Sequence, residues 1–292
     1  MYELVRCGEM SFYLDAPVKS GIVLSGAGDI VLIDSGGDKD AGKKILKILE
    51  SNGWRLSFIV NTHSNADHIG GNAFLQKRTG CRIFGSGMEN AFIRFPVLEP
   101  SFLFGGFPCR ELRNKFLTAS ESVPEDISGA PLPPGTEILP LKGHFFDMIG
   151  LKTPDGICFA ADALFSENVL RKYGTPFIYD VRAFLETLDM FEGLEARLFV
   201  PAHAEAVEDI RPLVGANRRK VNETAEKIQE ICRSPCSSED VLKSVFDAYG
   251  LSMDFNSYVL VGSTVRSYLS FLHDDGRLRT FFEGNRLFWQ TV

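Results

Sequence analysis

The stretch NTHSNADHIGGN, residues 61–72, places His63, Asp67 and His68 within six positions, in a chain that has only five histidines. Imidazole and carboxylate at this density are the donor types that hold Zn²⁺, or Fe²⁺ and Mn²⁺. Two further histidines, His144 in LKGHFF and His203 in VPAHAE, also follow apolar runs that read as strands. Asp162 lies in the apolar segment ICFAADALF, where a carboxylate has no apolar reason to be. Strand ends on one rim of a sandwich converge in space, and convergence is what a metal site needs. A bound metal lowers the pKa of its water toward roughly 7 and supplies hydroxide at neutral pH. The expected chemistry is hydrolysis at a carbonyl or phosphorus centre. Asp67 is a candidate proton acceptor as well as a ligand. Asn65 is a second candidate catalytic residue, its side-chain NH₂ steadying a developing oxyanion.

The elements around these residues read as follows. SFYLDA (11–16), GIVLSG (21–26) and DIVLIDSGG (29–37) are strands, the last two joined by a turn at Gly26, Gly28 and Asp29. KDAGKKILKILESNG is a helix with Ile45, Leu46, Ile48 and Leu49 together, stopping at Asn52-Gly53. LSFIVNTH (56–63) is a buried strand. The histidine segment is therefore a strand-to-helix loop, with Asn65 or Asp67 as the cap of a helix starting near His68. Gly70-Gly71 is its close-packed start. Strands return at 136–144, 148–154, 156–164 and 197–205, with an amphipathic helix over 182–196. Residues 86–134 form a Phe-rich insertion expected to have little regular structure at its start. It serves either as an apolar lid or substrate wall, or as a local mini-core or dimer contact. From about Leu213 the pattern changes to three helices, the second capped by Ser238, and a hairpin turning at Glu283-Gly284-Asn285.

These motifs resemble the metallo-β-lactamase fold superfamily over roughly residues 1–212. IVLIDSGG resembles its early strand-to-loop signature, THSNADHIGG its HxHxDH motif, and GH (143–144), AADAL (160–164) and PAH (201–203) its later ligand segments. The resemblance implies an α+β fold, an αββα sandwich with a binuclear site at one edge. It gives His63, His144 and bridging Asp162 to a first metal, and Asp67, His68, His203 and the same Asp162 to a second. Asp34 orients the site by hydrogen bonding. Residues 213–292 are similar to a small winged-helix-like domain appended to some members. One position departs from the pattern: Asn65 stands where the family has histidine. An amide oxygen is a weaker donor to zinc than imidazole, so the first site is expected to be weakened. Three readings follow: one metal at Asp67/His68/His203, a weak second metal at His63/His144/Asp162, or a fold kept without activity.

Composition narrows the partners. The net charge is −7, and residues 213–292 hold ten Lys/Arg against ten Asp/Glu, so no basic face for nucleic acid is expected. No apolar run is long enough for a membrane span, and no secretory signal opens the chain. A cytoplasmic protein is expected, its six cysteines reduced and mostly buried. The leading function is a metal-dependent hydrolase, holding one or two zinc ions (iron or manganese as alternatives), of a small or medium ester, thioester, lactone or lactam. The Phe-rich insertion favours an apolar acyl group, and a homodimer is left open. The alternatives are a nuclease of the same superfamily acting on RNA, a degenerate binding protein, and an oxidative mononuclear-iron enzyme.

Overall fold

The computed structural model describes residues 2–292. Its first sheet has seven strands in chain order: β1 (Glu3–Arg6), β2 (Ser11–Asp15), β3 (Ser20–Leu24), β4 (Asp29–Ile33), β5 (Arg55–Val60), β6 (Arg82–Gly85) and β7 (Pro124–Asp126). Strands β1 to β4 pair antiparallel through tight turns. Strands β4 to β7 pair parallel, because helices carry the chain back between them. Helix α1 (Lys39–Ser51) makes the first return, capped by the Asp38 carboxylate and stopped at Asn52-Gly53 as its sequence predicts. Helices α2 (Ala66–Ile69) and α3 (Asn72–Thr79) make the second.

The second sheet holds β8 (Glu137–Pro140), β9 (Ile149–Lys152), β10 (Ile157–Phe165) and β11 (Leu198–His203), with β10 in its interior and every residue of it buried. Between the two sheets lies an apolar layer built from Val31, Phe58 and Phe84 on one side and Leu151, Phe159 and Val200 on the other. A second layer packs Ile45 and Leu49 of α1 and Leu75 of α3 on the outer face of the first sheet. The third and largest covers the outer face of the second sheet. The order is helix, sheet, sheet, helix, the αββα sandwich expected.

The insertion differs from expectation. Its start is helical, with α4 (Gly87–Arg94) and α5 (Leu98–Phe104). The prolines that suggested irregular chain sit where helices tolerate them. Pro96 follows the Phe95 cap, and Pro100 occupies the first turn of α5, where its missing N–H has no acceptor to miss. Phe92 and Phe102 join Phe145, Phe146 and Tyr179 in an aromatic cluster, while Phe95, Phe104 and Phe107 remain exposed.

Helices α6 (Glu167–Tyr173) and α7 (Val181–Gly193) separate β10 from β11. Then follow α8 (Arg211–Ile231), α9 (Ser238–Tyr249), α10 (Phe255–Asp274) and the hairpin β12 (Leu278–Glu283) with β13 (Arg286–Thr291). Gly284 and Asn285 both take positive φ at the hairpin turn. The cap of α9 is Ser237, one residue before the expected Ser238, because Ser237 and Asp240 cap each other reciprocally. The boundary at 212/213 is no break in packing: Phe184 and Leu188 share one core cluster with Val221, Val245, Tyr268 and Leu272. All six cysteines are free. Cys81, Cys158 and Cys232 are buried, but Cys7, Cys109 and Cys236 are only partly so, fewer than expected. Among the described residues no helix is long and apolar enough to cross a membrane.

Candidate metal centre

The chemistry-bearing residues meet at one edge of the sandwich. Asp34 follows β4, His63 follows β5, and Asp67 and His68 lie on α2. His144 follows β8, Asp162 sits within β10, and His203 ends β11. They form two triads: His63, His144 and Asp162, and Asp67, His68 and His203. Within each, the ligand atoms lie within 4.8 Å of one another. The Asp162 carboxylate faces both. Its Oδ1 is 3.0 Å from His68 Nε2, and its Oδ2 is 3.2 Å from His203 Nε2 and 3.6 Å from His144 Nε2.

Local backbone features aim these groups. Asp34 and Ala161 are non-glycine residues with positive φ, 59° and 48°. Each such position costs about 1–3 kcal/mol and persists only where its surroundings enforce it. Ala161 marks a break in register between β10 and β11, and this bulge sets the direction of the next residue, Asp162. Gly70 and Gly71 press α2 on the loop after β4. A Cβ on Gly70 would stand 2.3 Å from the Gly37 carbonyl carbon, and one on Gly71 2.3 Å from the Ser35 carbonyl oxygen. Gly143, with φ 116°, brings His144 past α7, where a Cβ would stand 2.2 Å from the Phe184 nitrogen.

Hydrogen bonds outside the triads settle which imidazole nitrogen faces inward. Asp34 accepts from the Thr62 amide at 2.8 Å, the Thr62 hydroxyl at 2.7 Å and His68 Nδ1–H at 2.8 Å. With its proton on Asp34, the Thr62 oxygen accepts from His63 Nδ1–H at 3.1 Å. His144 Nδ1–H donates to the Phe177 carbonyl at 2.9 Å. In each of the three rings Nε2 is left as the inward lone pair. Among the described residues His63 Nε2, His68 Nε2 and Asp162 Oδ1 have no hydrogen-bond partner, although all are buried. Buried acceptors that converge without a donor are costly unless a cation lies among them. The residues present therefore fit a divalent metal. Electrostatics agree. Burial disfavours charge on all four imidazoles and holds His63 and His144 below the usual range. At His68 and His203 burial is outweighed by carboxylates, Asp162 first, which push His68 well up and His203 to about 10, so that a proton competes with a cation for the Nε2 lone pair of each. The site draws positive charge inward.

Asp34→Asn tests this bracing. The amide presents only one acceptor oxygen where the carboxylate serves three donors, so His68 loses its fixed tautomer. Zinc affinity should fall about 10–100-fold, measured by competition with a chelator.

Two bracing residues carry no sequence signal. Glu89 of α4, fully buried, accepts from Ser64 N–H (3.0 Å), the Ser64 hydroxyl (2.5 Å) and Asp147 N–H (2.8 Å), tying together the loops that hold His63 and His144. Burial pushes its carboxyl up to about 7. Glu99 of α5 accepts from Asn65 Nδ2 at 2.8 Å. Asn65 does occupy the N-cap position of α2, which starts at Ala66 rather than near His68, but its side chain caps nothing. Its NH₂ is committed to Glu99, so it does not face the site as the expected oxyanion donor; Oδ1 does, 3.0 Å from His144 Nε2.

The centre opens into a cavity of about 970 Å³. Phe165 and Phe177 line it beside the donors, the insertion contributes Glu99, Phe116 and Leu117, and α10 contributes Leu260 and Thr264. The insertion is thus both wall and mini-core, at different residues.

The metallo-beta-lactamase superfamily model matches residues 15–203, which contain every residue of both triads. The chain belongs to the metallo-beta-lactamase superfamily. Among curated members, a hydroxyacylglutathione hydrolase of Bradyrhizobium sp. (strain ORS 278) is 31% identical over 147 residues, 49% of each chain. The chain spans half or less of the length of the curated relatives it matches. Two solved structures align along almost the whole molecule. A beta-lactamase domain protein from Burkholderia ambifaria has a TM-score of 0.74 at 12% identity, covering 99% of this chain and 94% of that one. A metallo-beta-lactamase family protein from Thermus thermophilus has a TM-score of 0.72 at 19% identity, covering 100% and 98%. At these identities the likeness is one of fold. It extends across the C-terminal helices as well as the sandwich.

Proposed function

We propose that this superfamily member is a metal-dependent hydrolase of a thioester or a similarly activated acyl compound with an apolar acyl group. The observation that carries the reading is the pair of triads, with buried His63 Nε2, His68 Nε2 and Asp162 Oδ1 unpartnered, at the floor of a large and mainly apolar cavity. The partial match to relatives named hydroxyacylglutathione hydrolase supports a thioester over a lactam. In this reading His63, His144 and Asp162 hold one metal and Asp67, His68, His203 and Asp162 a second. When bound, such an ion supplies Lewis acidity and a water of lowered pKa.

The chain's own groups do the rest. Phe165, Phe177 and Leu260 take the acyl group and shed its water, which strengthens the electrostatics of the floor. Hydrolysis adds the elements of water across the acyl–sulfur bond. The acyl–oxygen bond forms, the acyl–sulfur bond breaks, one proton leaves the water and one reaches the sulfur. The Asp67 carboxylate lines the cavity 3.4 Å from His203 Nε2; burial raises its pKa, but His68 and His203 outweigh burial and hold it below the usual range, so it can take the first of these protons only in passing.

The test is elemental analysis of protein purified without added metal, followed by a panel of thioesters, esters, lactones and lactams. Apolar acyl thioesters should turn over fastest. His203→Ala, which removes a donor of the Asp67 triad and leaves the core layers untouched, should lower both metal content and rate. Full metal occupancy in His203→Ala, or no turnover of any panel member by metal-replete protein, would sink the reading.

A further inference from the structure

Asn65 stands where the superfamily pattern has a histidine donor, yet its surroundings are not those of an idle amide. Oxygen and nitrogen of an amide are told apart by their partners. Asn65 Nδ2 meets Glu99 Oε1 at 2.8 Å, and Glu99 is only 5% exposed. With Nδ2 placed on Glu99, Oδ1 is turned the other way. There it stands 3.0 Å from His144 Nε2. That nitrogen is itself a lone pair, because His144 Nδ1–H donates to the Phe177 carbonyl, which only accepts. Asp162 Oδ2 lies 3.6 Å from the same nitrogen, and His63 Nε2 faces the same space without a partner. Asn65 Oδ1, His144 Nε2 and His63 Nε2 are three acceptor atoms gathered with no hydrogen-bond donor between them, beside an Asp162 Oδ2 that His203 Nε2 approaches from the other side at 3.2 Å. Such a set is favourable only around a cation.

We propose that Asn65 Oδ1 is the fourth ligand of the first metal site, and that Glu99, reaching in from α5, is the positioning residue that keeps this oxygen turned inward. The proposal rests on the metal-centre reading above. It replaces the damaged site expected from sequence with a complete one of different chemistry: two imidazoles, one shared carboxylate and one neutral amide oxygen. Amide oxygen is a weaker zinc donor than imidazole, so the first site is the looser of two. Glu99 belongs to the insertion, which ties metal binding to a segment outside the sandwich.

The test is zinc titration of the full chain after chelation, read by competition with a chromophoric chelator, with the visible spectrum of the cobalt-substituted protein as a second readout. The parent should bind two equivalents of unequal affinity. Asn65→Leu, similar in size but without a donor atom, should keep the tighter equivalent and lose the other. Glu99→Ala should loosen the weaker equivalent about 10–100-fold and change its cobalt absorption, leaving the tighter one alone. The pair Asn65→Asp with Glu99→Gln exchanges carboxylate and amide at nearly constant volume. It should hold two equivalents, and it carries the test if Glu99→Ala fails to fold. Unchanged binding of two equivalents by Asn65→Leu overturns the ligand assignment. An unaltered weaker equivalent in Glu99→Ala, or a single equivalent in the exchanged pair, overturns the role of Glu99. A parent that binds one equivalent, unaffected by Asn65→Leu, refutes this proposal and spares the hydrolase reading. A parent that binds none refutes both.

Discussion

Replacing Asp162 by alanine is expected to release metal from both triads at once and to lower hydrolysis by about 10³-fold or more, the scale on which loss of a group acting in the transition state is felt. No other single residue stands in that position. Its two carboxylate oxygens approach His68, His203 and His144, so one side chain neutralises charge for both sets. His63→Ala removes a donor from the first triad only, and His203→Ala from the second only. Asp162 is buried and makes no contribution to the apolar layers, so the fold should survive its loss. Zinc per chain by elemental analysis, kcat/KM and the thermal transition together check this. A variant that keeps parental zinc content would show that the shared carboxylate is not what holds the ions.

That the six residues of the two candidate triads come together was legible because their signal is local. His63, Asp67 and His68 fall within six positions, and His144, Asp162 and His203 each sit at or within an apolar run that had to be a strand. Parallel pairing of β10 with β11 then brings Asp162 and His203 together without further information. What was not legible depends on where distant chain returns. Glu89 and Glu99 are two glutamates in a Phe-rich stretch, and nothing in their spacing says that both are buried against metal loops. The Asn65 departure could be read from the motif, but not the orientation of its amide, because Glu99 is 34 residues away. The positive φ of Ala161 is invisible for another reason: alanine gives no hint of a conformation that its surroundings impose. The C-terminal elements were found by helical periodicity. Their covering of the cavity was not, since periodicity tells which face is apolar and not what it meets.

That covering makes a strong prediction about residues 213–292. A chain ending at residue 208 should fail to fold as a compact unit, and the full chain should melt in one transition. In the sandwich portion Phe165, Leu170, Phe184, Leu188 and Phe191 are buried in the same cluster as Val214, Val221 and Ile228 of α8, Val245 of α9 and Tyr268 and Leu272 of α10. Exposing each of these five side chains costs about 1.5–3 kcal/mol. Their sum, roughly 10 kcal/mol, is comparable to the total stability of an ordinary domain. Polar groups would be stranded too. Buried Asn217 of α8 accepts from Phe165 N–H at 3.0 Å and donates to the Phe165 carbonyl at 2.9 Å, holding the end of β10 just beyond Asp162. Without α8 these backbone groups lose their partner at the strand that aims the shared carboxylate. The measurement is circular dichroism and thermal melting of the truncated chain beside the full one. A soluble fragment with a cooperative melt would establish the sandwich as an independent domain and the helices as a removable wall. Loss of the melt, with aggregation or exposed apolar surface by dye binding, would show that the C-terminal helices are part of the core on which the metal loops are built.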